Sequence, residues 1–162
     1  NAGSKKLNEI QIGILGDPTI GGPYNWSDDL SHFDLEESIS YFWDSDGISD
    51  VDGVYPGFFG TKFIETPDNA GFASFASILH TSSNVIWNDQ YFWENFIQPG
   101  ILDSNNSSQP GDFQSTTSSG AFSLEPHETK SFVFAFVFGQ DKNELFLNAN
   151  QAKNIYEQLI KP

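Results

Sequence analysis

The chain has 162 residues, with 22 acidic side chains against 7 basic ones, all lysine, for a formal charge of -15. A field of that sign repels nucleic-acid backbones and anionic membrane surfaces, which excludes nucleic acid as a partner, and no apolar run is long enough for membrane insertion. Cysteine and methionine are both absent, which removes disulfides and thiolate chemistry and suits an oxygenated extracellular or cell-surface setting. The length fits one domain, 1–162, and 16 phenylalanines predict a core built largely from rings.

Asn8–Leu15 alternates Ile10, Ile12 and Ile14 with Gln11 and Gly13 and reads as one strand, broken by Gly16-Asp17-Pro18. Asp17–Asp34 reads as loop around Gly21-Gly22-Pro23. Leu35–Trp43 is the next strand, with Glu37, Ile39, Tyr41 and Trp43 on one face, followed by an acidic turn over Asp44–Gly53. Phe58–Glu65 and Phe72–Thr81 are extended, and Asn88–Ile97 is a short helix capped by Asn88 or Asp89. Asp103–Ser119 is so polar that it reads as a long exposed loop.

Gly120–Leu124 and Lys130–Gly139 form a candidate hairpin. In its second arm Phe132, Phe134, Phe136 and Phe138 line one face and Val133, Ala135 and Val137 the other, the pattern of a central strand covered on both sides. Asp141-Lys-Asn-Glu144 resembles a capping box, and Leu145, Ala149, Ala152, Tyr156 and Leu159 follow at helical spacing. The fold expected from these elements is all-β: an antiparallel, jelly-roll-like β-sandwich with a C-terminal α-helix packed on it.

The sharpest chemical feature is the loop Asp44-Ser-Asp46-Gly47-Ile-Ser-Asp50-Val-Asp52-Gly53. Four carboxylates interleaved with small residues repel one another unless a cation offsets them, and calcium takes six to eight oxygens from such loops. The spacing is not that of an EF-hand. A second group, Asp17, Asp28, Asp29 and Asp34, either completes this site or forms another. The competing reading of the first group is a solvated acidic turn, and that of the second is loop chemistry, with Asp17 opening a turn before Pro18. Eight of the 13 aspartates fall between Asp17 and Asp52, so Ca2+ is a local expectation and not merely a consequence of low pI.

His32, His80 and His127 show no zinc spacing, and the chain lacks a nucleophile elbow and a phosphate-binding glycine loop. Sequons at Asn25, Asn105 and Asn106 are frequent by chance in so Asn- and Ser-rich a chain. Trp43, Trp87 and Trp93 read as core, whereas Trp26 sits in a polar loop and is the candidate ligand-binding ring, with glycans as the ligand class.

Two segments carry a resemblance. Ile12-Gly-Ile-Leu-Gly-Asp17-Pro18 with Asp28-Asp29 and Asp44-Ser-Asp46-Gly47, and then Ser119–Pro126 with Phe132–Gly139 and Asn148–Tyr156, resemble a recurrent β-sandwich module of large secreted or surface bacterial proteins that carry a C-terminal sorting domain. The hairpin also resembles accessory domains of glycoside hydrolases, with His127 in place of the usual glycine. The resemblance implies fold and location, with no established activity and no catalytic residue. The expectation is therefore a fragment of a longer exported protein: a non-catalytic structural or interaction module, calcium-stabilised, whose partners are neighbouring domains of the same chain or copies of itself. The alternative is a carbohydrate-binding or accessory domain of a secreted polysaccharide-active enzyme.

Overall fold

The computed structural model describes residues 1–80, 85–86, 88–103 and 108–161. The expectations for Trp87 and for the sequons at Asn105 and Asn106 lie outside the described residues. Among these, the strands pair in antiparallel ladders that form three sheets. The smallest joins β1 (Leu7–Ile10) to β8 (Phe122–Leu124). The second runs β2 (Gly13–Gly16), β7 (Phe113–Ser119), β6 (Phe72–Leu79). The largest runs β3 (Asp29–Asp34), β4 (Ile39–Asp44), β5 (Phe58–Glu65), β9 (Val133–Gly139). The protein is thus mostly antiparallel β-structure with a C-terminal helix, α2 (Lys142–Ile155).

The period of two in β4 separates two cores. Ile39 and Tyr41 face α2, where they pack with Val137, Leu145 and Ala149, flanked by Trp43, Phe58 and Phe146. Leu145 and Ala149 are 0% and 1% exposed, so the helical stripe is the buried face of α2. Asp141 starts the helix as expected: its Oδ1 accepts the Glu144 N–H at 2.9 Å. Gly139 lets the helix start lie against β9, since a Cβ there would stand 2.7 Å from Leu145 Cα. The stripe stops at Tyr156, where the helix widens into a π-turn (Tyr156–Ile160) and leaves Leu159 exposed.

The opposite face of β4 places Phe42 against Ile20 and Phe113. Here hydroxyl pairs join the two larger sheets: Thr117 Oγ1 donates to Ser40 Oγ at 2.8 Å, and the Ser31 and Ser77 hydroxyls meet at 2.7 Å. A hydroxyl both donates and accepts, so such pairs bury polar atoms without burying charge.

Several expectations are corrected. Asn8–Leu15 is two strands in different sheets. Glu9 adopts a left-handed φ of 55° inside the β1 bulge, and the chain then crosses to β2 through bonds of Gln11 and Ile12 to Ser119. The end of the supposed Asp17–Asp34 loop is β3, and Leu35–Ser38 is the turn into β4, closed by Ser38 N–H to Leu35 O at 3.2 Å. The polar Asp103–Ser119 segment ends in β7, whose Ser115–Ser119 are buried. Ser74 and Ser118 hydroxyls pair at 2.5 Å there, which is why polarity was a misleading sign of exposure.

The Gly120–Gly139 hairpin does not form. β8 pairs with β1 and β9 with β5, and the Asn1 amide holds the turn by donating to the Leu124 and Glu125 carbonyls. β9 is also an edge strand, not a central one. Its Val-Ala face is covered by α2, whereas Phe134, Phe136 and Phe138 are 40%, 56% and 65% exposed. Trp93, expected in the core, is 40% exposed. Asn88 caps the expected second helix, α1 (Asp89–Phe92), which continues as a π-turn over Trp93–Ile97.

Truncating Leu145 to alanine removes the one helix side chain fully enclosed by the sheet. Urea unfolding followed by circular dichroism is expected to show a loss of about 2–5 kcal/mol, against about 1 kcal/mol for Asp141→Ala, which removes only the cap.

Candidate metal centre

The β3–β4 ladder brings the two acidic groups together. Its register sets Asp29 directly opposite Asp44, with Asp28 just before the strand and Asp46 just after its partner. Asp44 folds the following loop around itself. Its Oδ1 accepts the backbone N–H groups of Asp46 at 3.1 Å and Gly47 at 2.5 Å, and Asp46 Oδ1 accepts Ile48 N–H at 2.8 Å. Gly47 takes a φ of 73°, the left-handed conformation such a tight turn requires.

The Gly21–Asn25 loop is interlocked with it. Asn25 Nδ2 donates to Asp44 Oδ2 at 2.7 Å and to Ile48 O at 2.5 Å. Ser49 Oγ donates to Gly21 O at 2.6 Å, Asp50 N–H to the same carbonyl at 2.9 Å, and Tyr24 N–H to Asp50 Oδ2 at 2.6 Å. Gly22, at a φ of 122°, lies so close to Asp50 that a Cβ would overlap its carboxylate.

The outcome is a triad. One carboxylate oxygen each from Asp28, Asp44 and Asp46 lies within 4.8 Å of the others, with Asp44 buried, Asp28 partly buried and Asp46 exposed. Asp28 Oδ1 and Asp29 Oδ1 are both buried without a hydrogen-bond partner among the described residues. The ion pairs of Lys6, Lys62, Lys130, Lys153 and Lys161 run to Glu125, Glu37, Asp68, Glu157 and Glu65, away from the triad. Burial raises the Asp28 carboxyl above its ordinary range, and the Asp44 and Asp46 carboxylates raise it further. Burial raises Asp44 as well, opposed by the Gly47 N–H and reinforced by Asp46. Asp29, 1% exposed, is pushed up to about 7, first by burial and then, against the hydrogen bond from Ile20 N–H, by Asp28, Asp44 and Asp112. Hard oxygen donors of this kind suit calcium.

The other aspartates considered as ligands fall elsewhere. Asp50 is occupied by Tyr24 N–H, and Asp52 is exposed. Asp34 Oδ1 accepts Glu37 N–H at 3.0 Å in the β3–β4 turn, and Asp17 Oδ2 accepts from Gln114 at 2.9 Å. Asn25 was not anticipated as part of the site. The only sequence signal was its place in a glycine-rich loop, and its amide, nominally a glycosylation acceptor, is engaged in the loop. His127 is exposed in a turn at a φ of 64°, a left-handed conformation that favours glycine. Comparison with protein-family models, with curated proteins and with solved structures gives no match.

Asp29 sets a pH dependence. Its folded pKa of about 7 stands above the unfolded 3.8, so between these values the folded chain holds a proton that the unfolded chain lacks. Stability therefore falls as pH rises through that window and levels off above it, by roughly 2–4 kcal/mol. Asp29→Asn is expected to flatten this slope and to be the more stable protein at pH 8, read by urea unfolding without divalent cations.

Proposed function

We propose that this chain is a calcium-stabilised, non-catalytic structural module of an extracellular or cell-surface protein. The observation that carries the reading is the convergence of Asp28, Asp44 and Asp46 on one point, with a buried Asp28 oxygen that has no hydrogen-bond partner among the described residues. Three carboxylates at that distance repel in the apo protein, and a divalent cation turns the repulsion into attraction. Extracellular modules commonly hold calcium with dissociation constants of about 10⁻⁴ to 10⁻³ M, which matches a site with one exposed ligand. The ion would fasten the Gly21–Asn25 and Asp44–Gly53 loops to the end of the β3–β4 ladder.

The same reading takes the two larger sheets as the layers of a jelly-roll-like β-sandwich, supported by the Thr117–Ser40 and Ser31–Ser77 hydroxyl pairs that tie one to the other. Its partners are then neighbouring domains of the same protein or further copies of itself, and the acidic surface keeps it soluble between those contacts.

Millimolar calcium is expected to raise the melting temperature by about 1–6 °C, and a chelator to reverse the rise. Asp46→Asn and Asp28→Asn should each remove most of the shift while leaving the calcium-free melting temperature unchanged or higher, because each also removes a repulsive charge. Differential scanning fluorimetry reads both. A melting temperature indifferent to calcium in the wild-type chain overturns the proposal.

A further inference from the structure

Beside the triad, and sharing none of its residues, an open cleft of about 470 Å³ is lined by Asp17, Thr19, Trp26, His80 and Asp112. We infer that this cleft binds a neutral sugar ring, stacked on Trp26 and held at its hydroxyls by Asp17, Asp112 and His80. This goes beyond the structural role proposed above and does not require it.

Trp26 is 47% exposed and stacks on no other ring among the described residues. The next residue, Asn25, is fixed by its bonds to Asp44 and Ile48, so the indole is presented from an anchored loop. The opposite wall is braced as well. Gln114 Nε2 donates to Asp17 Oδ2 at 2.9 Å and lies 3.4 Å from His80 Nδ1, while the His80 backbone N–H donates to the Asp112 backbone carbonyl at 2.8 Å. With Nδ1 facing a donor, the hydrogen-bond network assigns the His80 proton to Nε2. The cleft therefore holds an apolar face, two carboxylate acceptors, a hydroxyl and an imidazole donor.

That inventory selects among ligand classes. An anionic ligand is repelled, because no lysine lines the cleft and the chain carries -15. A wholly apolar ligand strands two desolvated carboxylates. A simple cation satisfies the carboxylates and the indole face but offers nothing to the His80 N–H. A neutral pyranose meets every group: its C–H face covers the indole, and its hydroxyls both donate and accept. The volume is that of a small-ligand site, roughly 300–1,000 Å³.

The test is isothermal titration calorimetry in calcium-saturated buffer with linear hexasaccharides of glucose, mannose, galactose and xylose. Galacturonate and glucosamine hexamers serve as the anionic and cationic counterparts. At least one neutral hexasaccharide is expected to bind, about tenfold more weakly to Trp26→Ala and about fivefold more weakly to Asp112→Asn. Both changes are outside the core, and an unchanged melting temperature verifies each fold. Binding by no neutral sugar overturns the inference. So does binding that neither variant weakens, or binding confined to the glucosamine hexamer, which would mark a cation site. The calcium reading is scored separately, by melting temperature, so each idea can fail alone.

Discussion

Two aspartates stand opposite each other across an antiparallel ladder, Asp29 on β3 and Asp44 on β4, and the acidic end of the protein is organised around that pairing. Like charges at directly opposed positions destabilise a sheet, so each must be neutralised or diluted. Asp44 is diluted by donors: two backbone N–H groups on one oxygen and the Asn25 amide on the other. Among the described residues Asp29 has only the Ile20 N–H at 3.3 Å, and its second oxygen is buried with no partner. Protonation is the response open to it, and its raised pKa is the expression of that response.

The shape of both neighbouring loops follows from how Asp44 is satisfied. Its turn brings Asp46 back toward Asp28, and the amide that serves it comes from a loop that must itself be fixed, through Gly21 carbonyl bonds and the Asp50 carboxylate. On the other side, Asp29 is bridged to Gly111, so its ladder continues toward Asp112. One buried carboxyl thus feels both the triad, through Asp28 and Asp44, and the Trp26 cleft, through Asp112.

Local chemistry was legible in the sequence wherever one residue type has one physical meaning. Phe58–Glu65, entered through Pro56-Gly57, is the strand expected. Asp141 caps α2, and Leu145 and Ala149 fall on its buried face. The acidic loop was legible as a loop and as a carboxylate cluster, but its membership was not. Asp50 and Asp52 look equivalent to Asp44 and Asp46 in the sequence. What separates them is the β3–β4 register, which brings in Asp28 from sixteen residues upstream of Asp44 and leaves Asp52 in solvent. Pairing between distant segments has no local signature, and the same reason hid the β1–β8 ladder behind an apparent hairpin.

β7 shows a different limit. Gln114-Ser-Thr-Thr-Ser-Ser119 carries no apolar residue, yet Ser115–Ser119 are buried and the strand is the middle one of its sheet. Small hydroxyl side chains occupy little volume and can pair with one another, so a strand made of them packs closely between neighbours when those neighbours also supply hydroxyls, as Ser40 and Ser74 do. Phe134, Phe136 and Phe138 on β9 are the converse. Hydropathy alone places them inside, but burial requires a layer on that face as well as an apolar side chain, and α2 covers only the other one. Burial is therefore a property of the pairing of surfaces. In this protein a hydroxyl-rich strand is enclosed and a phenylalanine-rich one stands at an edge because sheet order, which neither composition nor periodicity encodes, decides which surfaces meet.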